Sequence, residues 1–269
     1  MFKQLLFSVL LVSSNCDILF GQTATTDNMR DPCKKYTCIQ GGIVRGDMHK
    51  KEVAIVFTGG DYADGGNHIM KVLKTHDAKA SFFFTGDFYR NPDFKLIISQ
   101  LNGEGHYLGA HSDKHLLYCD WNKRDSLLLS KHDFLKDLEA NYKEMANFGI
   151  TPAQARLFMP PYEWYNDSIS AWTKKAGFQL VNFTYGTLTN ADYTTPEMMA
   201  YRSSEVIWQS IVDYKEKSEH GLNGFIMLIH IGTAPERTDK FYHRLDRLIS
   251  WLKASGYQLK RIDDLITIE

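Results

Sequence analysis

The sequence has little that would commit it to a charged partner. Its 269 residues hold 31 lysines and arginines against 32 aspartates and glutamates, a formal net charge of -1. That balance leaves no electrostatic footprint for nucleic acid, and no polybasic run points to an anionic lipid surface. Cysteine is scarce, four in all, and none falls in a C-x-x-C arrangement, which argues against a cysteine-ligated metal. Beyond the N-terminus no stretch is long and apolar enough for a transmembrane helix. Internal repeats and low-complexity linkers are missing, so nothing divides the chain into an array. The glycine-rich segment 59–66 lacks the lysine and hydroxyl offsets of a phosphate loop.

What is present suits an exported α/β domain. Lys3 followed by the short apolar run Leu5 to Val12 reads as a signal peptide over residues 1–22, too short to span a bilayer. Two endings compete. Leu19-Phe20-Gly21 before Gln22 is an ordinary cleavage site, whereas Ser13-Ser14-Asn15-Cys16 would leave a lipid anchor on Cys16. Either ending predicts a periplasmic, cell-surface or secreted protein. Residues 23–50 form a polar N-terminal lead-in. Cys33 and Cys38 could close a small loop there, or one of them could pair with Cys119.

From residue 51 to 269 short β-rich runs alternate with amphipathic stretches. Strands are expected at 53–58, 80–85, 106–110, 156–159, 179–183, 224–230 and 257–262. Helices are expected at 67–75, from Pro92 to Gly103, and at 131–148, 167–175, 203–218 and 241–255. The first run, Val-Ala-Ile-Val-Phe-Thr, is continuously apolar, as a strand buried on both faces must be. Such alternation implies a parallel sheet with helical crossovers, closed into a barrel or open and doubly wound. In the barrel the polar strand ends would share one rim, where sites are built.

Four polar clusters sit at those strand ends. The first, Thr58 to Gly66, offers Asp61 and Asp64 on a glycine-rich turn that is otherwise an ordinary helix cap. His111-Ser112-Asp113-Lys114-His115 places two histidines four apart, on one face if the segment is a helical turn, so that both imidazoles reach one ion. Phe158-Met159-Pro160-Pro161-Tyr162-Glu163-Trp164 is a stiff loop with a polar and aromatic surface. Leu228-Ile229-His230 closes an apolar strand. A histidine there is most often a satisfied core residue, but its equivalence to the other strand ends makes it a site candidate.

Taken in order, these clusters resemble the polysaccharide deacetylase family, carbohydrate esterase family four, over about Val53 to Ile262. The resemblance implies a distorted (β/α) barrel of about seven parallel strands. It also implies one divalent metal, zinc being usual in the family, and hydrolysis of N- or O-acetyl groups on sugars. His111 and His115 match the family's metal histidines, and Ser112 the hydroxyl residue that supports their loop. Leu228 matches the leucine lining the acetyl pocket and His230 the general acid. Pro161 and Tyr162 match the groove wall, with Trp164 beside them, and the Tyr162 amide matches an oxyanion donor.

The departures fall on the first cluster and the third. Where the family carries two adjacent aspartates, strict spacing puts Thr58 and Gly59. A longer turn would bring Asp61 to the metal as the third ligand, leaving as the base Asp64, Glu163 or a metal-bound hydroxide acting alone. Met159 replaces the arginine expected before the prolines, and Asp192 is a loose match to a further family carboxylate. The reading is therefore a metal-dependent deacetylase acting on an acetylated glycan. Its rivals are a lapsed enzyme that keeps metal and binds glycan, and a glycoside hydrolase using two of Asp61, Asp64, Glu163 and Asp192 across a groove.

Overall fold

The computed structural model describes residues 31–268. The leader at 1–22 and the lipid-anchor candidate Cys16 lie outside them. Among the described residues no helix is long and apolar enough to cross a membrane. The chain opens with the antiparallel pair β1 (Thr37–Ile39) and β2 (Gly42–Arg45). Of the open cysteine pairings the structure adopts Cys33–Cys38, and Cys119 is a buried free thiol.

Seven parallel strands then alternate with helices. They are β3 (Glu52–Gly59), β4 (Ser81–Phe84), β5 (Tyr107–Ala110), β6 (Leu157–Phe158), β7 (Gln179–Leu180), β8 (Phe225–His230) and β9 (Gln258–Leu259). The order across the sheet is β7-β6-β5-β4-β3-β8, with β9 pairing the start of β3. The centre is β3, buried from Val53 to Gly59, in register with β8 from Val53↔Phe225 to Thr58↔His230 and with β4 from Val56↔Ser81 to Gly59↔Phe84. Its unbroken apolar run is what a strand covered on both faces requires.

The sheet curls into the distorted barrel that the motif order implies. The gap between β7 and β8 is narrowed by the lead-in. Ile43 bridges Val181 in parallel, Asn182 N donates to Ile43 O at 2.8 Å, and Gly46 N donates to Gly224 O at 2.7 Å. Thr184 N also donates directly to Ile226 O on β8 at 2.9 Å. Arg45 is buried at this seam. Its guanidinium donates to the carbonyls of Asn223 and Gly221 and to the Tyr214 hydroxyl, three neutral acceptors.

Helices cover the outside: α1 (Gly66–Thr75), α2 (Gly86–Arg90), α3 (Lys95–Gly103), α4 (Lys131–Ala146), α5 (Asp167–Lys175), α6 (Ser204–Lys217), α7 (Leu245–Ala254) and the short α8 (Ile262–Leu265). Side-chain caps mark several starts: Ser130 accepts from Asp133 N, Asn166 from Ile169 N and Ser203 from Val206 N. Each such cap contributes about 1 kcal/mol. The expected helix from Pro92 begins as a 3-10 turn, as does that from Phe241, a frequent form for the end of a helix.

Candidate active site

All four polar clusters meet at the C-terminal rim of the strands, around a cleft of about 530 Å³. Thr58, Gly59, Gly60, Asp61, His111, His115, Tyr162 and His230 line it together with Tyr193 and Thr195.

The segment carrying His111 and His115 is a loop, not the helical turn its spacing suggests: Ser112 has φ 73° and His115 φ 52°. Polar groups on the inner face of α4 hold this loop by accepting its amides. Asn141 Oδ1 accepts from His111 N at 2.8 Å, while the Asp137 carboxylate accepts from Asp113 N, Lys114 N and the Tyr118 hydroxyl. Ser112 Oγ accepts from Leu116 N at 3.3 Å. The two rings still converge, with centroids 5.1 Å apart. The scaffold leaves a sequence trace, since Asp137 and Asn141 are one helical turn apart among the buried Phe134, Leu138 and Tyr142.

Both imidazoles are held neutral. Burial and then His115 keep His111 well below its usual value, and burial followed by His230 pushes His115 down to about 4. His111 Nδ1 donates to Met159 O at 3.0 Å, which turns Nε2 and its lone pair outward. Neutral imidazoles with one nitrogen fixed by a carbonyl are the state a divalent metal requires. In the cleft lining the buried Thr58 hydroxyl has no hydrogen-bond partner among the described residues. Asp61 is exposed on the cleft wall, close enough for its charge to act on His115. The donor types therefore fit a metal ion. Among the described residues, however, no three His, Cys, Asp or Glu side chains are drawn together around one point.

His230 ends β8 with its Nδ1 donating to Asp192 Oδ1 at 2.5 Å, while its backbone N donates to Asp192 Oδ2 at 2.9 Å. Burial opposes charge on this ring, but the Asp192 carboxylate outweighs it and holds His230 above its usual value. An imidazole that keeps its proton near neutrality beside a cleft is suited to donate it. The sequence offered Asp192 only through a loose match, and the fold puts it directly behind His230.

The two carboxylates nominated as bases part company. Asp64 is not in the cleft lining. It accepts from Thr233 N at 2.9 Å and from the Tyr242 hydroxyl at 2.7 Å, with Lys240 Nζ at 3.1 Å. Partial burial works against its charge, yet these donors prevail and hold its pKa low. Glu163 is also outside the lining, directly behind it, with Oε1 3.8 Å from the cleft-lining His111 Nε2, and burial pushes its pKa up to about 7. Its loop is strained: Tyr162 and Glu163 have φ 56° and 53°, a costly pair for residues with side chains.

Of the groove residues, Tyr162 is tilted against His115 with centroids 4.3 Å apart, Pro161 is buried, and Trp164 is half-buried. Leu228 is fully buried within β8, opposite Val56, and does not line the cleft. Of the two positions where strict spacing expects carboxylates, that of Gly59 is closed by packing. A Cβ on Gly59 would meet Ile231 Cγ2 at 2.8 Å, Phe84 at 2.9 Å and Phe88 at 3.0 Å.

Comparison with known proteins agrees with this architecture. Residues 45–181 match the family model described as polysaccharide deacetylase. The peptidoglycan-N-acetylmuramic acid deacetylase PdaA of Bacillus subtilis is 27% identical over 224 residues, 82% of this chain and 73% of its own. An uncharacterized 30.6 kDa protein of Geobacillus stearothermophilus is also 27% identical, over 84% of this chain and 75% of its own. Among solved structures, a wild-type CE4 family pseudoenzyme from Bacillus anthracis superposes with a TM-score of 0.66 at 20% identity, over 85% of this chain and 70% of that one. With the family model spanning half of its length, from the end of β2 through β7 and including the loops of His111 and Tyr162, the chain belongs to the polysaccharide deacetylase family.

Proposed function

We propose that the protein is exported and that its cleft removes acetyl groups from an acetylated glycan by metal-dependent hydrolysis. The carrying observation is that two neutral imidazoles, His111 and His115, share one cleft with His230, whose hold on its proton Asp192 strengthens. His111, His115 and Asp61 would hold the ion, zinc by family habit. When bound, it would polarise an acetyl carbonyl and lower the pKa of a water.

The chain's own groups divide the remaining work. Glu163 takes the water's proton, since it is the carboxylate beside His111 that no other side chain has claimed. His230 Nε2 delivers a proton to the leaving amine or alcohol, while Asp192 fixes the tautomer and orientation of the ring. The Tyr162 amide faces the developing oxyanion. Asp64 has no part in the chemistry and ties the first loop to residues 233–242.

A second reading, a glycan-binding protein that has lost catalysis, is favoured by the closed packing at Gly59 and by Met159 in place of the arginine. One comparison separates the two. Acetate release is measured from acetylated glycans with metal-loaded wild type and with a His111→Ala, His115→Ala double variant. Release by wild type alone supports hydrolysis. Glycan binding with metal present but no acetate released defeats it.

A further inference from the structure

We propose that Trp121, beyond Tyr162 at the edge of the cleft, is the platform for a further sugar ring, so that the site reads a glycan chain and not a single residue. This rests on the glycan reading of the cleft but not on its chemistry.

Trp121 is about half exposed (53%) and yet held in place. Trp164 stacks on it with centroids 5.6 Å apart and an angle of 29°, and Tyr162 meets it edge-on at 5.6 Å and 79°. Trp164 is itself pinned. Its Nε1 donates to Asp120 O at 3.2 Å, and Arg124 lies over its ring at 4.2 Å while donating to Tyr165 O. The backbone under Trp121 is equally fixed, because Asp120 Oδ1 accepts from Asn122 N at 2.8 Å and from Lys123 N at 2.7 Å.

Core packing accounts for none of this, since the ring that the arrangement immobilises remains in water. A fixed exposed indole loses little conformational freedom when a ligand covers it, which is how rigid aromatic anchors earn affinity. Its apolar face, rimmed by a polar turn, matches the C–H face and hydroxyl edge of a pyranose. The platform is also continuous with the site, because Tyr162 touches Trp121 on one side and His115 on the other. A chain with one sugar at His111 and His115 would therefore cross Tyr162 and set its next ring on Trp121.

The test is a tryptophan-fluorescence titration in the first seconds after mixing, using the monomer, dimer and tetramer of β-linked N-acetylglucosamine. Wild type is compared with Trp121→Ala and Trp121→Tyr. The expected result is tighter binding with length in wild type. Trp121→Ala should weaken the tetramer roughly three- to tenfold, and more than it weakens the monomer, while Trp121→Tyr restores part of the gain. An undiminished length dependence in Trp121→Ala, or none in wild type, overturns the platform. So does equal weakening of monomer and tetramer together with a lower melting temperature, which would make Trp121 a structural post. Acetate release by wild type judges the deacetylase reading separately.

Discussion

The loops after β3 and after β6 each present a carboxylate to the same rim, and the fold treats the two in opposite ways. Asp64, after β3, is surrounded by an amide, a hydroxyl and an ammonium from residues 233–242 and is held ionised. Glu163, after β6, is buried beside an imidazole and pushed up to about 7. A carboxylate stabilised as an anion by three donors is a weak base, whereas one destabilised by burial has reason to take a proton. What decides their roles is the set of donors around each, and those arrive from distant parts of the chain.

The sharpest way to break this contrast is Glu163→Gln. Loss of the base should lower acetate release about a hundred- to ten-thousandfold with the metal retained. Activity near wild type would remove Glu163 from the chemistry. The same variant has a stability signature in metal-free protein. Glu163 has a folded pKa above its usual 4.5, so the unfolded chain ionises first and stability falls as pH rises from about 4.5 through about 7. Glu163→Gln should therefore be the more stable protein at pH 8, by about 3 kcal/mol, and nearly equal to wild type at pH 4. Urea midpoints at the two pH values would decide it.

Asp192→Asn should come next, at about a hundredfold in turnover, because His230 would lose both its proton-holding charge and its fixed tautomer. A pH profile that stays unshifted in that variant would argue against His230 as the acid. Smaller again is Gly59→Asp, which restores a carboxylate at the strictly spaced position. Ile231, Phe84 and Phe88 already fill that space, so a loss of about 1–3 kcal/mol in unfolding free energy is expected, and a gain in acetate release is not. Asp64→Asn should be the mildest, about 1 kcal/mol of stability with turnover within a factor of a few, as its carboxylate is 41% exposed and screened.

Much of the fold could be read from the chain because β3, β4, β5 and β8 are buried on both faces and appear as unbroken apolar runs. β6, β7 and β9 were legible only as places, since each pairs over two residues. The part played by residues 42–45 in the barrel wall was hidden. Four residues in a polar, glycine-containing stretch give no periodicity, and their partners stand at 181–184 and 221–223. Within the site, His111, His115 and His230 stood out because motif spacing is local. The ties on Asp64 did not, because Tyr242 lies far along the chain. Nor did Trp121, since an exposed ring held by its neighbours has no pattern of its own.

The seam at β2 has a consequence for how the molecule comes into being. Residues 43 and 46 lean on backbone at 182 and 224, so the earliest strand of the wall waits for some of the last. A chain delivered from its N-terminus cannot seat β2 until roughly four fifths of its length has emerged, and until then Ile43 and Val44 are bare. Contacts so remote in sequence form slowly. The barrel should thus close late and as one event, and the Cys33–Cys38 loop beside β2 can form before there is a wall for it to rest against.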